Sequence, residues 1–197
     1  MTRIRKLRLN PILNVGFTTH KATKIVQQLS VPFPLPPHSF SIHVRHGDKF
    51  GEMRLIPFKE YVEEAEWFAK QNPNSYYKSA FLSSEDSSVF EEARNITSVT
   101  FDYGLTSPNE NWIWYMSKIK RINSGPMQQL NAFKNRTETT LSWLLQLLMA
   151  LECDAYVGTL NSNWNRLIDE LRCVWVDKCM HPYLEVGDVV DWSNYHW

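Results

Sequence analysis

Apolar residues along this chain follow two alternating spacings. Short, mostly apolar stretches bounded by turn residues predict strands over residues 40–45, 78–84, 98–103, 154–159 and 173–177. Between them, apolar residues recur at helical spacing and predict helices over residues 57–71, 85–95, 137–153 and 162–172. Strands that alternate with helices predict an α/β fold, in which helices cover both faces of a Rossmann-like parallel sheet.

Two segments interrupt this alternation. Residues 31–40, VPFPLPPHSF, are rich in proline and are not expected to form the interior of a helix. We therefore divide the chain into an N-terminal extension with a proline-rich linker, 1–38, and a Rossmann-like domain, 39–197. Residues 104–135 contain Gly, Pro, Asn and several aromatic residues, which predicts a long loop. A long loop within a compact domain is more often functional than not.

This predicted loop carries the aromatic cluster NWIWY at 111–115, followed by the basic run KIKR at 118–121. Aromatic side chains beside polar groups are suited to stacking on the apolar face of a sugar. The same side chains equally suit a lid that packs on the sheet. The sequence leaves both interpretations open.

Composition narrows the classes of ligand. The chain has 197 residues, of which 43% are hydrophobic, so it can build a sizeable core. It carries 21 Lys and Arg against 21 Asp and Glu, so no overall positive charge draws it to nucleic acid. An anionic ligand must therefore be held by a local site. The longest apolar stretch, WLLQLLMAL at 143–151, is shorter than a membrane span and predicts a buried helix.

The signals for a cellular compartment are sparse. The first residues, MTRIRKLRL, are basic but lack the apolar region of a signal peptide. Cys173 and Cys179 flank VWVDK and would pair in an oxidising compartment, although a fully reduced set fits equally well. Cys153 is expected to be a small core residue at the end of a helix. Triplets for N-glycosylation begin at Asn95 and Asn135, but such triplets are common by chance.

Ionisable residues follow the first predicted strand in the stretch HVRHGDK, 43–49. Folds of this class bind ligands at the carboxyl ends of their strands. Arg45 offers a planar fork of donors suited to phosphate, and Gly47 lets the backbone come close to a ligand. A solvated strand end with an Arg–Asp pair is an alternative. So is a metal site made by His43, His46 and Asp48, although no second cluster supplies further ligands.

Two further predicted strand ends carry polar residues. TLNSNWNRL, 159–167, opens a helix whose free N–H groups suit an anion, although an ordinary N-cap explains the same pattern. It is neither a Walker loop nor a GxGxxG fingerprint. Glu85 and Asp86 follow the second strand and can accept hydrogen bonds from ribose or sugar hydroxyls. They are equally suited to the first turn of a helix.

Three ordered blocks give the chain a family resemblance. HVRHGDK resembles the HVRRTDK-type motif of the eukaryotic alpha-1,6-fucosyltransferases, which are related to chitin-oligosaccharide and protein O-fucosyltransferases. FLSSED, 81–86, resembles that family's second block, and CDAYVGTLNSNWNRLIDEL, 153–171, resembles its third. The blocks span roughly 41–172, which is most of the chain.

The resemblance implies the carboxyl-terminal, nucleotide-binding half of a GT-B-type fold. It implies GDP-fucose as donor, an N-glycan or related oligosaccharide or glycoprotein as acceptor, and inverting transfer without a metal or other cofactor. It also implies a place in the Golgi or another part of the secretory lumen.

The resemblance assigns roles by position. His43 would contact guanine, Arg45 the β-phosphate and Ser162 the diphosphate. The transferred sugar would be surrounded by Asp48 and Lys49, and Glu52 would be the base. The remaining residues expected to bind substrate are His46, Glu85, Asp86, Gln146, Thr159, Asn161 and Arg166.

The chain departs from the family pattern in several places. His46 replaces the second arginine, Gln146 replaces the aspartate expected to read guanine, and the loop to Glu52 is one residue shorter. The residues before 40 are expected to be too few for the other half of the cleft. These departures leave alternatives open: a non-catalytic nucleotide- or glycan-binding remnant, an enzyme with a protein hydroxyl or chitin-like acceptor, or an α/β domain with a vestigial site.

Overall fold

The computed structural model describes residues 35–47, 51, 54–76, 78–96, 112–117, 121–122, 124–133 and 135–187. Within these residues the chain forms five strands and five helices. In chain order they are β1 (Phe40–Val44), α1 (Phe58–Gln71), β2 (Ser79–Ser84), α2 (Ser87–Asn95), β3 (Ile113–Met116), α3 (Pro126–Ala132), α4 (Arg136–Glu152), β4 (Ala155–Gly158), α5 (Asn163–Val174) and β5 (Tyr183–Glu185).

The strands form one parallel sheet in the order β3-β2-β1-β4-β5. From β1 the chain moves outward through β2 to β3. It then crosses to the other side of β1, where it forms β4 and, further outward, β5. The direction therefore reverses between β1 and β4, which makes the carboxyl ends of these two strands the topological switch point. The predicted α/β class, with a Rossmann-like parallel sheet, is confirmed.

Each face of the sheet packs against its own helices. The side chains of Phe40, Ile42 and Val44 all point to one face, because alternate residues of a strand share a face. There they join apolar residues of α1 and α2, namely Phe58, Tyr61, Val62, Val89 and Phe90. The opposite face carries Phe81 and Tyr156, packed against residues of α4 and α5, namely Leu147, Leu151 and Ile168. Both faces of the central strands are thus buried.

The prediction of one long loop over 104–135 is wrong in two stretches. Residues 113–116, IWYM, pair with β2 and form the edge strand β3. Beside this strand, the Trp112 indole N–H donates to the buried Glu66 carboxylate at 2.7 Å. The helix α3 begins at Pro126, where the fixed φ of proline suits a first helical position. The strand predicted over 98–103 lies outside the described residues.

The strand predicted over 173–177 is also wrong. Helix α5 continues to Val174, and the fifth strand is Tyr183–Glu185. Arg172 explains the difference, because its guanidinium donates to the carbonyl oxygens of Lys178, Cys179 and His181 and folds the chain into a tight turn. A disulfide joins Cys173 to Cys179 across this turn, while Cys153 is free and buried as expected. None of the described helices has the length and apolar character needed to cross a membrane.

Candidate functional site

Predicted site residues from three strands lie at one edge of the sheet. Because β1, β2 and β4 are parallel neighbours, their carboxyl ends share that edge. The stretches at and just beyond these ends are 43–46, 83–86 and 159–166. The first two flank each other, and the third lies across the switch point from the first. These three stretches are called the carboxyl-edge cluster below.

The ends of β1 and β2 pair through side chains at a constant offset. Within the strands, each β1 residue lies opposite the residue forty positions later, as Val44 lies opposite Ser84. The same offset joins His43 Nδ1 to Ser83 Oγ at 2.8 Å and His46 Nδ1 to Asp86 Oδ2 at 2.9 Å. It also joins Arg45 Nη1 to the Glu85 carboxylate. The two sequence motifs therefore form a single structural unit.

Arg45 and Glu85 form an ion pair over Gly47. Each side chain is only 12% exposed. Gly47 has φ 55°, and a Cβ added there would lie 2.7 Å from Arg45 Nη1 and 2.8 Å from Glu85 Oε1. Glycine is thus needed both for the left-handed backbone and for the space. The guanidinium charge predicted to meet a phosphate is balanced here by a carboxylate of the same chain.

His43 is a buried, neutral imidazole. Burial, together with the positive charge of Arg45, lowers the pKa of His43 to about 3. Its Nδ1 is bonded to Ser83, while its Nε2 is buried with no hydrogen-bond partner among the described residues. The ring lies 6.3 Å, centre to centre, from the Trp164 ring in the first turn of α5. This nitrogen is therefore a buried polar atom whose hydrogen-bonding capacity the described residues leave unused.

His46 and Asp86 point to the other side of the sheet edge. His46 Nε2 lies 2.8 Å from the Ile56 carbonyl oxygen. Asp86 is the N-cap of α2, and its Oδ1 accepts hydrogen bonds from the N–H and the hydroxyl of Ser88. Burial alone would raise the pKa of Asp86, but the hydrogen bonds from His46 and Ser88 outweigh it and lower that pKa. Asp86 is therefore a carboxylate with several donors.

Hydrogen-bond donors in the turn from β4 to α5 bond to acceptors of the same chain. The Glu185 carboxylate, at the end of β5, accepts the Leu160 N–H at 2.9 Å and the Thr159 hydroxyl at 3.2 Å. Burial raises the pKa of Glu185. The Ser162 hydroxyl caps α5 by accepting the Asn165 N–H, and the Asn161 N–H donates to Thr159 Oγ1. The hydroxyls of Thr159 and Ser162, both predicted to bind substrate, thus have hydrogen-bond partners within the chain.

Asn165 spans the switch point. It is 2% exposed, and its Nδ2 donates to the carbonyl oxygens of His43 at 3.4 Å and Thr159 at 3.1 Å. A Cβ added at Gly158 would lie 2.7 Å from the Asn165 side chain, so this glycine makes room for the amide. Sequence reasoning missed both Asn165 and Glu185. Their roles depend on which strands are neighbours, which no local pattern reveals.

Gln146 lies at the β2–β3 side of the edge. Its Oε1 accepts from Ser117 Oγ at 3.5 Å and from Arg121 Nη2 at 3.4 Å, and its Nε2 donates to the Ser142 carbonyl. Arg121 also donates to the Ser84 carbonyl and lies over the Phe90 ring. Burial and the charge of Arg94 lower the pKa of Arg121 to about 10.

Of the remaining predicted site residues, only Arg166 lies within the part of the chain that the structure describes. Arg166 donates to the Leu160 carbonyl at 3.1 Å and to the side chain of Asn163, within its own turn. Asp48, Lys49 and Glu52 lie outside the described residues. Within the described stretches, His, Cys, Asp and Glu side chains nowhere gather in threes as a metal site requires.

No protein-family model matches the chain, and a search of curated proteins finds no significant match.

Proposed function

We propose that this chain is the GDP-fucose-binding domain of an inverting fucosyltransferase, of the alpha-1,6 type, that acts on an N-glycan or related oligosaccharide. The observation that carries the proposal is the carboxyl-edge cluster. Residues chosen from three separate motifs lie together at the switch point of a parallel sheet, where this fold class holds its ligands.

In the proposed complex the diphosphate lies between Arg45 and the first turn of α5. Arg45 exchanges its bond to Glu85 for a phosphate oxygen, and helix N–H groups meet the second phosphate. We assign the buried Nε2 of His43, which has no partner among the described residues, to a hydrogen bond with the nucleotide. A neutral chain thereby binds an anion through local donors.

The proposed reaction transfers the fucosyl group with inversion. The bond from fucose C1 to the phosphate oxygen breaks, and the electron pair leaves with GDP while C1 becomes oxocarbenium-like. Arg45 and the helix amides stabilise the charge that grows on the departing phosphate. The acceptor hydroxyl oxygen attacks C1, and Glu52 takes its proton. Asp48 and Lys49 are proposed to surround the sugar, and no metal or other cofactor is assigned a role.

The disulfide supports the proposed compartment. Disulfides persist in the oxidising lumen of the secretory pathway and are rare in the cytosol. Together with the resemblance, this supports a Golgi or secretory location.

Titration calorimetry with GDP, GDP-fucose and UDP tests the proposal. We expect GDP and GDP-fucose to bind and UDP to bind more weakly. Arg45→Ala should abolish GDP binding, whereas Lys70→Ala, which removes an exposed charge at the far end of α1, should not. Glu52→Gln should preserve GDP binding while fucose transfer to an N-glycan is lost. Equal binding of GDP by Arg45→Ala and the parent chain refutes the phosphate role.

A second candidate is a non-catalytic nucleotide- or glycan-binding remnant. It is favoured by the two internal carboxylates, since Glu85 balances Arg45 and Glu185 occupies the Leu160 amide. GDP binding without transfer to any N-glycan, protein hydroxyl or chitin-like acceptor would support the remnant over the enzyme.

A further inference from the structure

We propose that His46 is a positioning residue held as an imidazolium, with one N–H on Asp86 and the other on the Ile56 carbonyl, so that it ties the end of β1 to α2 and to the start of α1. The charge state and the tie stand on the contacts alone. Only their effect on GDP binding rests on the proposed function.

The hydrogen-bond geometry fixes the charge state. Both ring nitrogens of His46 face acceptors, Asp86 Oδ2 at 2.9 Å and the Ile56 carbonyl oxygen at 2.8 Å. A carbonyl oxygen cannot donate, and Asp86 is a carboxylate that already accepts from Ser88. A neutral imidazole has one N–H, so it would leave a lone pair facing one of these oxygens. Only the imidazolium satisfies both.

The surrounding charges leave Asp86 as the counter-ion. Glu85, the neighbouring carboxylate, is engaged by Arg45, and Arg45 also donates to the His46 carbonyl oxygen at 3.3 Å. The titratable side chains in the first turn of α1 are Lys59, which pairs with Glu63, Glu60, which pairs with Arg54, and Tyr61, whose pKa burial raises. The His46–Asp86 pair is therefore a separate unit with balanced charge.

Both partners of His46 are fixed in the fold. Asp86 begins α2 as its N-cap. Ile56 is 2% exposed and packs so closely on Gly187, after β5, that a Cβ there would lie 3.1 Å or less from its side chain. His46 thus joins β1 to two rigid points on the same face of the sheet. It supplies in this chain a second positive charge directly after Arg45.

Long-range proton–nitrogen NMR on the full chain tests the charge state directly. At neutral pH we expect both ring nitrogens of His46 to show the shifts of protonated nitrogen, with the signal assigned by its loss in His46→Gln. A shift typical of a bare nitrogen at either position would overturn the proposal. This NMR measurement needs no ligand, so its result is valid even if GDP does not bind.

Two variants test the positioning role. His46→Arg keeps a fixed cation with several donors, whereas His46→Gln has no charge and cannot reach both acceptors. We expect faster hydrogen exchange at the bonded amides of Glu60 and Ser88 in His46→Gln, and exchange close to the parent in His46→Arg. Equal exchange at these amides in all three proteins would refute the tie.

GDP affinity supplies the functional readout. We expect His46→Gln to bind GDP about tenfold more weakly, which corresponds to about 1.4 kcal/mol. We expect His46→Arg, which keeps a positive charge at this position, to bind GDP with an affinity close to that of the parent chain. A His46→Gln variant that binds GDP as tightly as the parent chain contradicts the role of His46. A parent chain that binds no GDP contradicts the proposed function instead.

Discussion

Arg45 and Glu85 face each other beyond the ends of β1 and β2, at the same forty-residue offset that pairs Val44 with Ser84 inside the sheet. The ion pair is therefore a continuation of strand register. It places a carboxylate where the proposed function requires a phosphate oxygen. Glu85 and a phosphate then compete for one guanidinium.

This competition predicts that Glu85→Gln strengthens GDP binding. The variant keeps the shape of the side chain but removes the charge that neutralises Arg45. We expect affinity to rise about tenfold, as for the gain of one charge-assisted contact. Glu91→Gln, an exposed residue of α2, is the control and should leave calorimetric affinity unchanged. Weaker binding in Glu85→Gln would indicate that Glu85 orients Arg45 rather than competes for it.

The Gly47 position predicts a second, structural effect. Gly47→Ala places a Cβ in left-handed backbone and within 2.8 Å of both charged groups. We expect the free energy of unfolding to fall by about 1–2 kcal/mol, measured by urea denaturation. Gly51→Ala is the matched control, because no atom of the described residues lies within 4 Å of an added Cβ there. Equal stability of the two variants would contradict both the steric contact and the cost of the left-handed backbone at Gly47.

The switch point predicts coupling between Gly158 and Asn165. Asn165→Ala leaves two carbonyl oxygens without their amide donor and should cost about 1–3 kcal/mol of stability. Gly158→Ala alone should also destabilise, since its Cβ meets the Asn165 amide. In the double variant the clash is gone, so the loss should be smaller than the sum by about 1 kcal/mol. Additive losses in a urea double-mutant cycle would contradict the packing described.

The fold was predictable where strands are buried on both faces. The stretches at 40–45, 78–84 and 154–159 contain the three inner strands, whose apolar runs are visible without knowing their neighbours. The edge strands were not predicted, because β5 has only three residues and β3 is partly exposed. Short edge strands bury too little to leave a clear periodic signal.

The candidate site was predictable as a location but not as a set of contacts. The rule that ligands bind at strand ends selects Arg45, Glu85 and Ser162 from sequence alone. Which carboxylate pairs with which cation depends on register, and so the bond from Arg45 to Glu85 was not foreseen. Glu185 reaches the Leu160 amide from a strand that sequence analysis did not find. The roles of Asp48, Lys49 and Glu52 stay predictions.

The bonding and burial of the three cysteines predict how many thiols a labelling reagent detects in the folded and the denatured protein. Cys173 and Cys179 are bonded, and Cys153 is 1% exposed with its pKa raised by burial. Labelling with an aromatic disulfide reagent at neutral pH should therefore detect no thiol in the folded protein. The denatured chain should give one thiol before reduction and three after it, since the sequence has three cysteines. Two reactive thiols in the folded state would show that the Cys173–Cys179 bond is absent.

The buried imidazole predicts loss of stability in acid. The pKa of His43 is lowered from 6.5 to about 3, because burial and the charge of Arg45 disfavour its protonated form. As pH falls below about 6.5, the unfolded chain binds a proton at His43 that the folded chain does not bind until about pH 3. His43 therefore contributes stability that is present above about pH 6.5 and is lost as the pH falls toward about 3. Between about pH 6 and about pH 4 the loss attributable to His43 is about 2 kcal/mol.

Urea unfolding at several pH values measures this contribution by difference. His43→Gln lacks the titrating group, so its stability should fall less steeply with acid than that of the parent chain. His38→Asn is the control, because residue 38 has φ 66°, a conformation that asparagine tolerates, and the variant retains His43. We expect His38→Asn to keep the full acid dependence. Parallel stability curves for His43→Gln and the parent would mean that His43 is protonated in the folded protein, and that its Nε2 is not a neutral site for a ligand.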